Sequence, residues 1–190
     1  MVVYSLITTQ SNIQEAVYGR IRNINDVIEG ISGGTISQDQ KNTLLGQCYF
    51  FRAWCYYNIV KWYGGVPIVT ETQDPVVTSV TPRSSTKASL EFILSDLDKA
   101  ASLLASKTMS GGWSGDDYGR VTTGTAQALK GRVLLLWASP IFNRTNDESR
   151  WTKAYTVMKQ EMDSIKACGY GLYQGSGENA QGYANIFTQS

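Results

Sequence analysis

The chain has 190 residues and is close to charge-balanced, with 17 Lys plus Arg against 16 Asp plus Glu and a pI near 7.6. That balance argues against a nucleic-acid partner, which calls for a basic excess gathered on one face. A hydrophobic fraction of 42% with only 17% charged residues argues against disorder. Histidine is absent, which removes Ser-His-Asp and Cys-His triads and the commonest metal ligand.

At the start, "MVVYSLITT" is apolar but has no basic region and no small-residue cleavage site, so it does not read as a secretory signal. Over residues 11–30, Ile13, Val17, Ile24 and Ile28 fall on one helical stripe extended by Ile21, with Gly30 as a stop and "SGGTIS" as a loop.

The next helix, over 43–63, carries two apolar stripes. Leu44, Cys48, Phe51, Cys55, Ile59 and Trp62 make one, and Leu45, Tyr49, Tyr56, Val60 and Tyr63 the other. A helix apolar on two sides is sandwiched between neighbours. Trp54 and Tyr57 fall off both stripes and are expected at the surface. Arg52 is expected to reach through the packing to a carboxylate or a helix C-terminus, because an unpaired buried guanidinium is costly. Gln47, Arg52, Asn58 and Lys61 interrupt the segment, so it falls short of the roughly 18–20 apolar residues that span a bilayer. Cys48 and Cys55 would stand about 10 Å apart along the helix, too far for a disulfide. Without a C-x-x-C spacing, the three cysteines read as small hydrophobes.

Gly64 and Gly65 supply a left-handed cap and Pro67 blocks continuation. Residues 66–82 read as a long extended surface loop. Ser85 can cap a third helix in which Leu90, Ile93, Leu97, Ala100 and Leu104 form the stripe and Asp96 and Asp98 face out. After the glycine-rich loop "SKTMSGGWSGDDYGR", a central helix over 122–139 has Ala126, Leu129, Val133 and Leu136 on one face and ends at Pro140. Ser149 can cap the last helix, with Trp151, Ala154, Tyr155, Met158, Met162 and Ile165 as its stripe. The final twenty residues are loop-like with an aromatic tail. The class is therefore all-α, built from helical hairpins at roughly 43–105 and 122–168 joined by long loops. Ala53, Ala128, Gly131 and Ala154 are placed for close helix approach, in the manner of tetratricopeptide stacking.

Four stretches carry a family resemblance: "YGRIRNINDVIEGI" at 18–31, "GQCYFFRAWCYYNIVKWYGGVPIV" at 46–69, "GRVTTGTAQALKGRVLLLWASPIFN" at 119–143 and "WTKAYTVMKQEMDSIKACGYGLY" at 151–173. In this order they resemble the SusD/RagB-type outer-membrane lipoproteins of Bacteroidetes. The second is similar to that family's Gly-Glu-Ala-Arg-Phe-Leu-Arg-Ala helix running into Tyr-Gly-Gly-Val-Pro, and the third to its Ala-Ser-Pro-Leu-Phe-Asn ending. The resemblance implies a tetratricopeptide-like fold without catalysis or cofactor. It implies binding of an oligosaccharide, polysaccharide or peptide at the cell surface, and docking as a lid on a SusC-like TonB-dependent transporter. Membrane attachment would be only through a lipid anchor outside this sequence, and residues 1–190 would be one domain forming the N-terminal part of the family fold, with its C-terminal part absent. Gln47 departs from the family glutamate, which leaves the charge partner of Arg52 open.

Sugar recognition stacks an exposed ring on a pyranose while carboxylates or amides bind its hydroxyls. Trp113, Asp116, Asp117 and Tyr118 supply those types within one glycine-rich loop and are the candidate glycan site. The competing expectation is that Trp113 tucks onto a helix and the aspartates are solvated or cap the following helix. Asp116 and Asp117 are adjacent and need not converge as an acid-base pair must, so no glycosidase is implied. Asn23 and Asn25 could contact ligand, but helix-to-loop hydrogen bonds suit them better. Asn143-Arg144-Thr145 is a formal glycosylation sequon. A helical scaffold that binds only protein, with no sugar site, is the other reading of the chain.

Overall fold

The structure, a computed structural model, describes residues 2–74, 81–109 and 111–171, with side chains from Val17 onward. Five helices follow one another: α1 (Val2–Gly33), α2 (Gln38–Tyr63), α3 (Thr86–Leu103), α4 (Thr123–Ala138) and α5 (Glu148–Ala167), with a single 3-10 turn at Gly115–Asp117. No strand occurs among the described residues. The two expected hairpins form, α2 on α3 and α4 on α5, and α3 packs on α4 to join them, with α1 against α2. The expected aromatic tail lies outside the described residues, as do 75–80 of the connection before α3.

The caps explain where helices begin. α2 starts five residues earlier than the apolar spacing suggests, because Ser37 and Gln40 make a reciprocal capping box, in which the Ser37 hydroxyl accepts from the Gln40 N–H and Gln40 Oε1 from the Ser37 N–H. Ser85 caps α3 through the Ala88 N–H at 3.1 Å and Thr122 caps α4. The cap of α5 is Asp147 and not Ser149, since the Asp147 carboxylate accepts both the backbone N–H and the hydroxyl of Ser149.

The main core runs through the contacts of α1 to α4, and a small separate cluster of Leu134, Ala138 and Ala154 joins α4 to α5. Val17 and Ile21 of α1, Tyr56, Ile59 and Val60 of α2, Leu90, Ile93, Leu97 and Ala100 of α3, and Ala126, Leu129 and Val133 of α4 are buried in one cluster with Leu104. The stripes expected for α3 and α4 thus meet their neighbours, as do Val17, Ile21 and Ile24 of α1, while Ile13 lies outside the residues whose side chains are described. Those of α2 do so differently: Phe50 and Tyr57 are buried, while Leu44, Phe51 and Trp62 are exposed, as is Trp54. Contact comes mainly from α3 on one side and α1 on the other, with a small one from α4, and the Leu44, Phe51 and Trp62 side is left exposed. On α5 only Ala154 is buried, and Trp151, Tyr155, Met158 and Met162 are exposed. Among the described elements α5 packs on α4 alone. Ala53, Gly131 and Ala154 sit at buried positions as expected, whereas Ala128 is exposed.

Asp96 does not face out. It is fully buried and holds Arg52 in a two-pronged ion pair, Oδ2 accepting from Nε at 2.7 Å and Oδ1 from Nη2 at 3.0 Å. Position 96 lies three residues after Ile93 and four before Ala100, on the buried stripe, and there it supplies the counter-charge of Arg52. Arg52 Nη1 donates to Asn25 Oδ1 at 2.9 Å, and Asn25 Nδ2 donates to the Val69 carbonyl at 3.1 Å. Tyr56 OH accepts the Val69 N–H at 2.8 Å, and Tyr18 OH donates to the Pro67 carbonyl at 2.9 Å. The first part of the expected surface loop is therefore strapped over α1 and α2 by the buried Asn25 and Tyr56 and the half-buried Tyr18. Asp98, in contrast, is solvent-facing and shares Lys130 with Glu161, at 2.7 and 2.8 Å, tying α3, α4 and α5 together.

Burial sets the titration of this network. It pushes the Asp96 carboxyl above the usual carboxylate range against the opposing pull of Arg52. It also pushes Tyr56 up from 10.0 to about 12, partly offset by the Val69 hydrogen bond, and raises Tyr18 as well. A tyrosine whose folded value is raised stabilises the fold fully below its unfolded value, and that contribution is lost as pH rises through the folded value. Moving from pH 10 to 12 is accordingly expected to cost about 2 kcal/mol from Tyr56 alone. Urea midpoints at pH 9, 10.5 and 12 measure it, and a profile as flat as that of Tyr56→Phe would refute it.

Candidate functional site

The segment between α3 and α4 is held at its base by backbone hydrogen bonds. The Thr123 N–H donates to the Lys107 carbonyl at 3.0 Å, and the Met109 N–H donates to the Cys168 carbonyl at 3.1 Å, so the end of α5 closes one side. Gly112 turns the chain back, its N–H on the Thr108 carbonyl at 3.0 Å. Trp113 then folds inward: it is half-buried against the core, and its indole N–H donates to the Val121 carbonyl at 2.9 Å. The 3-10 turn follows and delivers Tyr118 to the surface, 76% exposed.

Two cations lie over the Trp113 ring, Lys107 with Nζ 4.5 Å from the ring centroid and Arg120 with Cζ at 5.7 Å. Arg120 Nε is also 2.7 Å from Asp117 Oδ1, an exposed pair at i,i+3 spacing. Such a pair contributes little to stability, but it sets the direction of the guanidinium. A cavity of about 230 Å³ opens between this turn, the start of α4 and the end of α5. Trp113, Tyr118, Arg120, Thr122, Thr125 and Tyr170 line it, with Thr122 and Tyr170 hydrogen-bonded hydroxyl to hydroxyl.

Of the four residues singled out from the sequence, Trp113 and Tyr118 meet at this cavity. Asp116 is exposed and Asp117 is engaged with Arg120, and neither lines it. Arg120, Thr122 and Tyr170 were not anticipated. Arg120 is the last residue of the same glycine-rich loop, two beyond Tyr118, but it is neither of the ring nor of the carboxylate type that marks out the candidates there. Tyr170 is 48 residues from Thr122, and only the return of α5 along α4 brings it in. The ring-and-hydroxyl chemistry can stack one sugar face and bind its hydroxyls, with Arg120 as a fork donor.

Asn25 and Asn143 are occupied by the fold, whereas Asn23 is exposed. Asn25 spans Arg52 and Val69, as expected for a helix-to-loop link. Asn143 is buried, its Nδ2 donating to the Ala138 and Asp147 carbonyls at 3.3 and 3.0 Å, and its Oδ1 accepting the Asp147 N–H at 2.8 Å. The sequon asparagine thus has no amide to offer a glycan. Cys55 is buried and Cys48 half-buried, and burial raises both thiols, which favours the protonated form over the nucleophilic thiolate. Among the described residues no helix is long and apolar enough to cross a membrane.

Residues 3–135 match the SusD-like family described as starch-binding and associating with the outer membrane. The chain is 27% identical over 124 residues to a SusD-like protein of Formosa agariphila, a match covering 65% of this chain and 23% of that one. It resembles the crystal structure of a SusD-like protein from Bacteroides fragilis with a TM-score of 0.73 and 31% identity, over 93% of this chain and 30% of that one. A laminarin-binding SusD-like protein gives a TM-score of 0.70 at 19% identity, over 94% of this chain and 34% of the other. The chain spans from about a quarter to a third of the length of these relatives.

Proposed function

The chain belongs to the SusD-like family, and on that premise we propose that it is the helical portion of a non-catalytic glycan-binding protein at the outer-membrane surface, which passes oligosaccharide to a TonB-dependent transporter. The observation that carries the binding half is the cavity where exposed Tyr118 stands beside Trp113, Arg120 and the Thr122–Tyr170 hydroxyls. A stacking ring with a few convergent polar groups is what a sugar subsite requires. Laminarin, bound by one relative of the same fold, is the first ligand to try, followed by starch.

Calorimetry against a polysaccharide panel tests this. Tyr118→Ala is expected to weaken binding about tenfold, ~1.4 kcal/mol, without moving the melting temperature, because the ring is 76% exposed. Unchanged affinity would remove the site from this cavity. The exposed ridge of Leu44, Phe51, Trp54 and Trp62 along α2 supports a second reading, a scaffold that contacts only protein. No heat with any glycan, together with co-purification of a transporter, would favour that reading, and release of reducing ends on incubation would overturn the non-catalytic one.

A further inference from the structure

At the opposite end of α4, about 18 Å along the helix from Thr125 to Trp137, a larger cavity of about 400 Å³ lies between the last turn of α4, the turn that follows it, and the first turns of α3 and α5. Trp137, Phe142, Arg144, Thr145, Arg150 and Thr86 line it together with the exposed Ile141. The turn is fixed from inside by the buried Asn143, and Asn146 adopts φ 52° to close it. Arg150 is held in place as well: Nη1 donates to the Phe142 carbonyl at 2.8 Å, Cζ lies 3.7 Å from the Trp137 ring centroid, and Nε is 3.5 Å from Asp147.

The charge around this cavity is unlike that of the chain as a whole. Two guanidinium groups line it and no carboxylate does. Arg144 is exposed and forms no ion pair among the described residues. An adjoining cavity of about 320 Å³ shares Trp137 and Arg150 and adds Lys87 and Lys153 against Glu91 and Asp147. Together the two are lined by four cations and two carboxylates, in a protein whose net charge is +1. Concave surfaces with a local excess of one sign concentrate the opposite charge. Arginine forks match the planar two-oxygen face of a carboxylate and the oxygens of a sulfate, while Trp137 and Phe142 supply apolar area for a ring.

We propose that this cavity is a second glycan subsite, specific for a sugar residue bearing an anionic group, a uronate carboxylate or a sulfate ester, which Arg144 and Arg150 grip while the ring rests on Trp137 or Phe142. It rests on the glycan-binding reading above and adds a charge requirement and a second place. Arg144 is the residue to test, because it is exposed and its removal leaves the turn intact, whereas Arg150 also supports the Phe142 carbonyl.

Affinity electrophoresis and calorimetry on the whole chain would use polygalacturonate as the carboxylate probe, a carrageenan as the sulfate probe and laminarin as the neutral one. Arg144→Ala is expected to weaken at least one acidic polymer about tenfold while leaving laminarin unchanged. Arg144→Lys should recover only part of the loss, and Lys159→Ala, which removes the same charge from an exposed position on α5, should leave binding unchanged. Raising NaCl from 50 to 500 mM should weaken the acidic polymer far more than laminarin. Whichever probe responds identifies the anion. Equal losses in Arg144→Ala and Lys159→Ala, or an acidic polymer bound no more tightly than laminarin, would overturn the subsite and leave the Tyr118 cavity standing. Absence of binding to all three polymers would overturn both.

Discussion

Asp96→Ala is expected to lower the free energy of unfolding by about 3–5 kcal/mol, because it strands a buried guanidinium without its counter-ion. Arg52 is 4% exposed and lies among Tyr49, Phe92 and Asn25, so water cannot easily replace the lost carboxylate. Urea denaturation monitored by circular dichroism measures the loss, and a change below about 1 kcal/mol would mean that the pair is dispensable. The double variant Arg52→Met with Asp96→Leu should recover most of the stability, since an apolar pair of similar volume often does as well as a buried ion pair. If it recovers nothing, the hydrogen bonds from Arg52 to Asn25 and to the Thr70 carbonyl carry the effect, by holding the 66–72 strap in place.

Gly65→Ala is the second large effect, expected at about 3 kcal/mol. A Cβ at this position would lie 2.0 Å from the Ser84 carbonyl oxygen and 2.8 Å from Thr86 N. Both partners are backbone, in the segment where Ser85 caps α3, so no side chain can swing aside and the start of α3 would have to move. Gly64 is different. It is the residue with positive φ, 71°, and an alanine there meets only the Thr86 hydroxyl at 3.1 Å and the Arg83 tip at 3.7 Å. Gly64→Ala should therefore cost the smaller penalty of a sparsely populated backbone conformation, φ 71° with ψ −127°, about 2 kcal/mol. Equal melting temperatures for the two variants would refute this division of labour. The paired glycines of the resemblance motif thus have separate duties, one for the turn and one for close approach.

Helical periodicity made most of the architecture legible, because a stripe such as Leu90, Ile93, Leu97 and Ala100 can only be buried. It misled where residue type contradicted position. The spacing that buries Ile93 and Ala100 also buries 96, but an aspartate reads as solvent-facing until its arginine partner on another helix is known. On α2 every face is apolar, so spacing could not say which sides α1 and α3 take, and Phe51 and Trp62 proved exposed while Tyr57 did not. The candidate site was half legible. Trp113 and Tyr118 share a short loop, but Arg120 and Tyr170 join them through the 3-10 turn and the course of α5, which local sequence does not encode.

The nearest-neighbour stacking of the helices also bears on how the chain is made. Each helix packs on its neighbours in the chain, α1 with α2, α2 with α3, α3 with α4 and α4 with α5, and hardly beyond them. Such low contact order favours fast folding, and a chain threaded out N-terminus first can dock each new helix on a surface already formed. Arg52 must wait: its charge stays uncompensated until Asp96 emerges 44 residues later, which makes the arrival of α3 the step that settles the α1–α2 pair.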